Sequence, residues 1–243
     1  MIAALFGLFA FAAAQSADLP VEQELDVREL DAGVWMHTSY RDLPEYGRVG
    51  SNGLIVERAD SVVLIDTAWG EPATEKLMDW VAREIGKPVK LVVITHSHED
   101  RTAGLPVTKA AGAASIGLNK TAQIMMSEGR GGLDIGAVGK SFGIDEGYDG
   151  MEVFYPGHGH AEDNIVVYVH RANLLFGGCL IRAADATSMG NTADGNLETW
   201  AEAAEAPAER FPGIEVIVPG HGQPGGPELM AHTAELARAA LDQ

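Results

Sequence analysis

Cysteine is almost missing from this 243-residue chain: Cys179 is the single thiol. One thiol cannot close an internal disulfide, so an odd cysteine in an exported chain needs another use, and metal ligation supplies one. Positive charge is scarce too, with 17 Lys and Arg against 35 Asp and Glu and a formal net charge of −18. That balance lacks the basic footprint that nucleic acid or an anionic membrane surface would require, and neither is expected as a partner. An anionic substrate would have to find locally positive charge. Low-complexity linkers and short tandem repeats are absent, and apolar runs beyond the N-terminus are only strand-sized. The exception, Ile2 to Ala14, is too short for an ordinary membrane span, ends in small residues and leads into polar Gln15-Ser16-Ala17-Asp18. Residues 1–16 therefore read as a secretory signal peptide, cut after Ala14 or Ser16. Because no Lys or Arg precedes the run, an uncleaved anchor stays open as the alternative.

What the chain does have is a concentration of metal-ligand side chains in four short blocks. Thr95-His96-Ser97-His98-Glu99-Asp100 follows the apolar run Leu91-Val92-Val93-Ile94, which reads as a buried strand. Alternate residues of an extended segment point the same way, so His96 and His98 can close on one ion while Asp100 reaches a neighbour. Three further donors follow short β-like runs in glycine-rich turns: His160 in Gly157-His158-Gly159-His160, Cys179 in Phe176-Gly177-Gly178-Cys179, and His221 in Val218-Pro219-Gly220-His221-Gly222. Sorted by chemistry, His96, His98 and His160 make a tri-histidine site and Asp100, Cys179 and His221 a mixed one. Imidazole with thiolate favours zinc over magnesium or calcium, which prefer oxygen; copper and iron stay open on ligand type.

Hydrophobic residues make up 46% of the chain, enough to bury a sizeable core as one domain or two fused halves over residues 17–243. The halves echo each other: Leu91 to Thr95 leads into the first histidine pair and Glu215 to Val218 into His221. Strands are expected near 24–30, 33–38, 52–57, 61–66, 89–95, 113–117, 151–155, 164–169, 173–177 and 214–218. Helices are expected near 71–85, 102–111, 119–128, 196–209 and 226–241. In the first helix Leu77, Val81 and Ile85 fall at helical spacing and Pro72 suits the first turn. Pattern alone specifies mixed α and β.

Taken in order, His-x-His-x-Asp, Gly-His-x-x-Asp-Asn, Gly-Gly-Cys and Pro-Gly-His-Gly resemble the class B β-lactamases, specifically their first, di-zinc subclass. The resemblance extends over nearly the whole chain after residue 30, including Ser51-Asn52-Gly53-Leu54-Ile55-Val56, Leu64-Ile65-Asp66-Thr67-Ala68-Trp69-Gly70 and Gly190-Asn191-Thr192-Ala193-Asp194. Superfamily relatives such as thioesterases and RNA-processing nucleases carry a histidine where this chain has Arg101, and tend to carry a bridging aspartate where it has Cys179. The second subclass would replace His96 by asparagine, and the third lacks the cysteine. The resemblance implies an α+β fold, an αββα sandwich of two mixed sheets face to face with helices outside. It also implies two zinc ions per chain and a small-molecule β-lactam as substrate; the signal peptide points to the periplasm, and a monomer is expected there.

Three neutral histidines leave the first zinc open to water whose pKa falls to about 7, giving a hydroxide nucleophile at neutral pH. The second zinc would stabilise the leaving ring nitrogen, and Asp100 would orient the water as well as ligate. Asn191 would help hold the developing oxyanion. Arg182 stands where the family usually has a lysine that binds the substrate carboxylate, and can grip it bidentately. Ser39 to Val49, with Tyr40, Leu43 and Tyr46, matches the position of the family's mobile flap and reads as a loop. Bland alternatives stand beside these roles. Asn191 could be a turn residue, Arg182 a surface ion pair, Cys179 a small buried hydrophobe, and the flap aromatics core. Arg101 and Asp66 read as supports of the ligand loop. His37, His170 and His232 read as ordinary histidines; His158 is the rival of His160, which fits the Gly-His-x-x-Asp-Asn spacing. Two other functions remain open: a hydrolase of another ester or amide on this scaffold, and an exported zinc-binding protein without activity.

Overall fold

The computed structural model describes residues 25–144 and 150–242. The expected signal peptide at 1–16 lies outside the described residues. The chain runs β1 (Leu25–Asp31), β2 (Val34–Leu43), β3 (Gly47–Glu57), β4 (Val62–Ile65), α1 (Glu71–Glu84), β5 (Val89–Val93), α2 (Glu99–Thr102), α3 (Leu105–Ala110), β6 (Ala114–Leu118) and α4 (Asn119–Ser127). It continues with β7 (Ile135–Ala137), β8 (Ser141–Ile144), β9 (Met151–Phe154), β10 (Val166–Val169), β11 (Leu174–Gly178), α5 (Leu197–Arg210), β12 (Val216–Pro219) and α6 (Glu228–Leu241). Strands β1 to β7 form one sheet in sequence order, and the other runs β12-β11-β10-β9-β8.

Both sheets are covered on both faces, and their sequences show it. In β4, Val63 and Ile65 enter the core between the sheets, while Val62 and Leu64 pack with Leu77 and Val81 of α1. In β10, Val167 and Val169 face the inter-sheet core, and Val166 and Tyr168 meet Trp200 of α5 and Leu229 of α6. A strand apolar on both faces is what a doubly covered sheet needs, and period two sends alternate residues to different layers. The layer order is helices, sheet, sheet, helices, which is the expected αββα sandwich. The expected Pro72 sits in the first turn of α1, whose buried face includes Leu77 and Val81.

Three local expectations are corrected. Ser39 to Val49 is a β-hairpin and not a loop: β2 and β3 stay in register from Val34↔Val56 to Leu43↔Gly47, turning through Pro44, Glu45 and Tyr46. Thr38, Tyr40 and Val49 are β-branched or aromatic residues that suit such a ladder. The helix expected over 102–111 is two helices, α2 and α3, broken at Ala103 and Gly104. A Cβ on Gly104 would lie 1.9 Å from Thr74 Oγ1, so that residue is where the chain presses against α1. Finally, Asp100 is helical and not extended, because β5 ends at Val93 and α2 begins at Glu99. Strands β7 and β8 were not expected; at three and four residues they carry too little pattern to read.

Candidate metal centre

The ends of β5, β11 and β12 and the turn before β10 deliver donor side chains to one edge of the sandwich. His96, His98 and His160 place their ligand atoms within 4.8 Å of one another, and Asp100, Cys179 and His221 form a second such group. The turn from strand into α2 makes the separation: His98 is the extended N-cap, and Asp100, in the first helical turn, is carried away from the imidazole pair. His37, His170, His232 and His158 belong to neither group.

A hydrogen bond selects which ring nitrogen His221 presents. His221 Nδ1 donates to Gly50 O at 2.7 Å, leaving Nε2 3.3 Å from Cys179 Sγ and 3.4 Å from Asp100 Oδ2. His98 Nδ1 lies 3.1 Å from His160 Nε2. His96 is buried, and its Nε2 has no hydrogen-bond partner. The three rings meet edge to face, with centroids 4.6 to 4.9 Å apart. Burial, then the neighbouring His160 and His98, hold His96 well below the ordinary imidazole range, and burial with His98 brings His160 down to about 3. Neutral imidazoles converging on a buried, unpartnered nitrogen fit a cation such as zinc.

The second group is built around charge. Arg101 is fully buried, with Nη2 2.8 Å from Asp100 Oδ2, 2.9 Å from Cys179 Sγ and 3.1 Å from Gly220 O. Burial pushes the Asp100 carboxyl up, but Arg101 and His221 outweigh it and hold it well below the carboxylate range. Burial likewise lowers His221, and Cys179 and Asp100 override it, raising His221 to about 10. Gly220 is required where these elements meet: a Cβ there would lie 2.7 Å from Cys179 Sγ and 2.8 Å from Arg101 Nη2. Asp66, which accepts from Thr95 N at 2.8 Å and Thr95 Oγ1 at 2.7 Å, anchors the residue before His96. Burial raises Asp66 to about 7 against the pull of Arg101 and Thr95. The supporting places expected for Arg101 and Asp66 are therefore where the structure puts them.

Both groups open on a cavity of about 540 Å³ that Arg182, Asn191, Leu43, Tyr46 and Val49 also line. Arg182 is partly buried, its Nε unpartnered, with its backbone N–H bonded to Thr233 Oγ1 at 2.8 Å. Burial lowers the Arg182 pKa, with Cys179 and Asp185 opposing. Asn191 Oδ1 accepts from Ala193 N at 3.1 Å, an Asx-type turn that leaves the amide NH2 as its outward donor. The turn reading of Asn191 and its place at the cavity are thus compatible.

Sequence reasoning assigned no role to two further supports. Asn52 Nδ2 donates to Pro219 O at 2.9 Å and Gly222 O at 2.8 Å, tying the first sheet to both sides of His221. Arg130 donates to Ser97 O at 2.7 Å and Thr102 Oγ1 at 2.8 Å, gripping the His96–His98 segment from outside. Asn52 lies in the Ser51–Val56 stretch that shares the family resemblance, which is a signal for it. Arg130, in the turn after α4, carries no local signal.

The profile of the Metallo-beta-lactamase superfamily matches residues 46–221. The metallo-beta-lactamase type 2 of Bacillus sp. (strain 170) is 34% identical over 216 residues, covering 88% of this chain and 82% of that protein. A solved metallo-beta-lactamase from Pontibacter korlensis superposes with a TM-score of 0.85 at 36% identity, covering 88% of this chain and 99% of that one. The metallo-beta-lactamase FIM-1 from Pseudomonas aeruginosa, solved in a mono-zinc form, gives 0.84 at 36% identity over 91% and 98%. The matched span contains every donor of both groups, and fold and sequence agree across most of each chain, so this protein belongs to the metallo-beta-lactamase superfamily, among the class B metallo-β-lactamases.

Proposed function

We propose that this chain hydrolyses the amide bond of β-lactam antibiotics with two zinc ions, one held by His96, His98 and His160 and one by Asp100, Cys179 and His221. The Asp, Cys and His composition of the second group supports assignment to the first, di-zinc subclass. Zinc in these places supplies an acidified water near neutral pH and a Lewis acid for the departing ring nitrogen. The chain's own groups do the rest. Arg182 grips the carboxylate that β-lactams carry beside the ring nitrogen, which places the strained carbonyl over the two donor groups. The Asn191 amide donates to the carbonyl oxygen as charge builds on it. Asp100, ionised at neutral pH, accepts a hydrogen bond from the attacking water and aims it. Leu43, Tyr46 and Val49 on the hairpin offer an apolar wall to the substrate's side chains.

The observation that carries this reading is the opening of both donor groups and Arg182 onto one cavity. Penicillins, cephalosporins and carbapenems are the expected substrates, and resistance to them the expected phenotype. The apolar run at Ile2 to Ala14 supports export to the periplasm; no helix among the described residues is long and apolar enough to cross a membrane. The test is zinc content measured alongside turnover of a penicillin, a cephalosporin and a carbapenem, with and without chelator. Two zincs per chain and chelator-sensitive turnover are expected. Turnover only of thioesters or lactones, or zinc uptake with no turnover, would each overturn the reading.

A further inference from the structure

Beside the tri-histidine group stand two side chains without a role so far, His158 and Asp194. Asp194 Oδ2 is 3.0 Å from His98 Nε2, and His158 Nε2 is 2.9 Å from the Asp194 backbone carbonyl. We propose that His158 and Asp194 act as a clamp of positioning residues that orients His98 and docks the loop carrying Asn191 onto the tri-histidine group.

A carbonyl oxygen only accepts, so His158 carries its proton on Nε2; a carboxylate only accepts, so His98 also carries its proton on Nε2. The lone pair of His98 is then on Nδ1, the atom 3.1 Å from His160 Nε2. A ring turned over would point an N–H into the cluster instead of a lone pair. Partners of this kind fix the tautomer and orientation of a metal-binding histidine. Asp194 is 65% exposed at its side chain, so its carboxylate alone is a loose partner. His158 removes that freedom by holding the Asp194 backbone. It is itself held: Thr199 Oγ1 donates to His158 O at 2.6 Å, and Asn196 N donates to Gly159 O at 2.8 Å. Gly195 lets the two segments meet, since a Cβ there would lie 2.8 Å from Trp200 and 3.2 Å from Gly159 O. The segment that sets His98 is thus the one that presents Asn191, and the fit of substrate loop and metal ligand is a single adjustment.

This inference rests on the ligand set proposed above. The experiment is competition for zinc between the purified full chain and a chromophoric chelator, with His96→Ala as reference. Asp194→Ala should weaken zinc binding at the tri-histidine group by about 10–100-fold. Asp194→Asn, which still offers an oxygen, should lose less. His158→Ala should shift affinity in the same direction, and His158→Gln, which can still donate to the Asp194 carbonyl, should recover part of it. Melting temperatures of the zinc-free variants should match the parent's. Parent affinity in Asp194→Ala overturns the clamp. If that variant melts early, the His158→Ala and His158→Gln pair decides, and equal affinities in both and in the parent overturn it. Parent affinity in His96→Ala would instead sink the ligand assignment itself.

Discussion

His96 and His160 are kept neutral by burial and by one another's neighbourhood with His98, whereas Asp100 is kept ionised by the buried Arg101 and His221 is raised by Cys179 and Asp100. The two donor groups are neighbours, yet one is set by desolvation and the other by ion pairing. Desolvation needs only dense packing around the rings, so the first group depends on that packing and on the hold that Arg130 and Asp66 exert through Ser97 and Thr95. Ion pairing needs a partner for every charge, and removing one leaves others stranded. The second group is therefore the more brittle, and perturbations should separate the two.

The largest separation is expected from Arg101→Ala. Breaking a buried ion-pair network costs about 3–5 kcal/mol, and the second zinc should be lost while the first is kept. Urea unfolding with zinc counting checks it, and equal loss at both groups would erase the contrast. Next comes acid. His37 lies outside both groups, fully buried in β2, and burial lowers its pKa from 6.5 to about 3. Below pH 6.5 the unfolded chain takes up a proton that the folded chain refuses, so this contribution is complete above 6.5 and is lost as pH falls toward 3. The slope is about 1.4 kcal/mol per pH unit for each such histidine. His96 and His160 have the same sign, while Asp66, raised to about 7, takes up its proton first in the folded chain and offsets one of the three, so the chelated protein should still weaken between pH 6.5 and 5, and His37→Gln should flatten the profile. A stability curve that stays level there would contradict burial as the device.

Arg182→Ala should sharpen the comparison by leaving both zincs bound. A charged hydrogen bond is worth about 1.5–3 kcal/mol, so KM for carboxylate-bearing lactams should rise about 10- to 150-fold with kcat little changed. Unchanged KM would remove Arg182 from substrate binding. The smallest effect belongs to the rim, where Arg41 pairs with Glu99 at 3.3 Å and lies over the Trp69 ring, linking the hairpin to α2. Arg41→Ala should cost about 0.2–1 kcal/mol and leave zinc at both groups. A large loss in a denaturant titration would mean that the hairpin supports the ligand segment.

Much of this was legible along the chain. The apolar runs of β4, β5, β10 and β11 are long enough to announce buried strands, and donors stand after β5 and β11 and ahead of β10 in blocks whose residue types already sort into three imidazoles and a mixed set. The hairpin was harder to read, because Pro44, Glu45 and Gly47 give turn chemistry while the ladder on either side depends on pairing across the turn. Arg130 and Asp194 were illegible as supports, since each acts on a segment more than 30 residues away in sequence.

Sequence by itself determined the donor inventory, the strand-then-turn setting of His96, Cys179 and His221 and the mixed α and β pattern, because these rest on local periodicity and residue chemistry. Tertiary structure decided that Asp100 leaves its histidine neighbours by entering a helix, that Arg101 charges the second group, and which ring nitrogen His221 offers. Those outcomes depend on distance and desolvation between segments far apart in the chain.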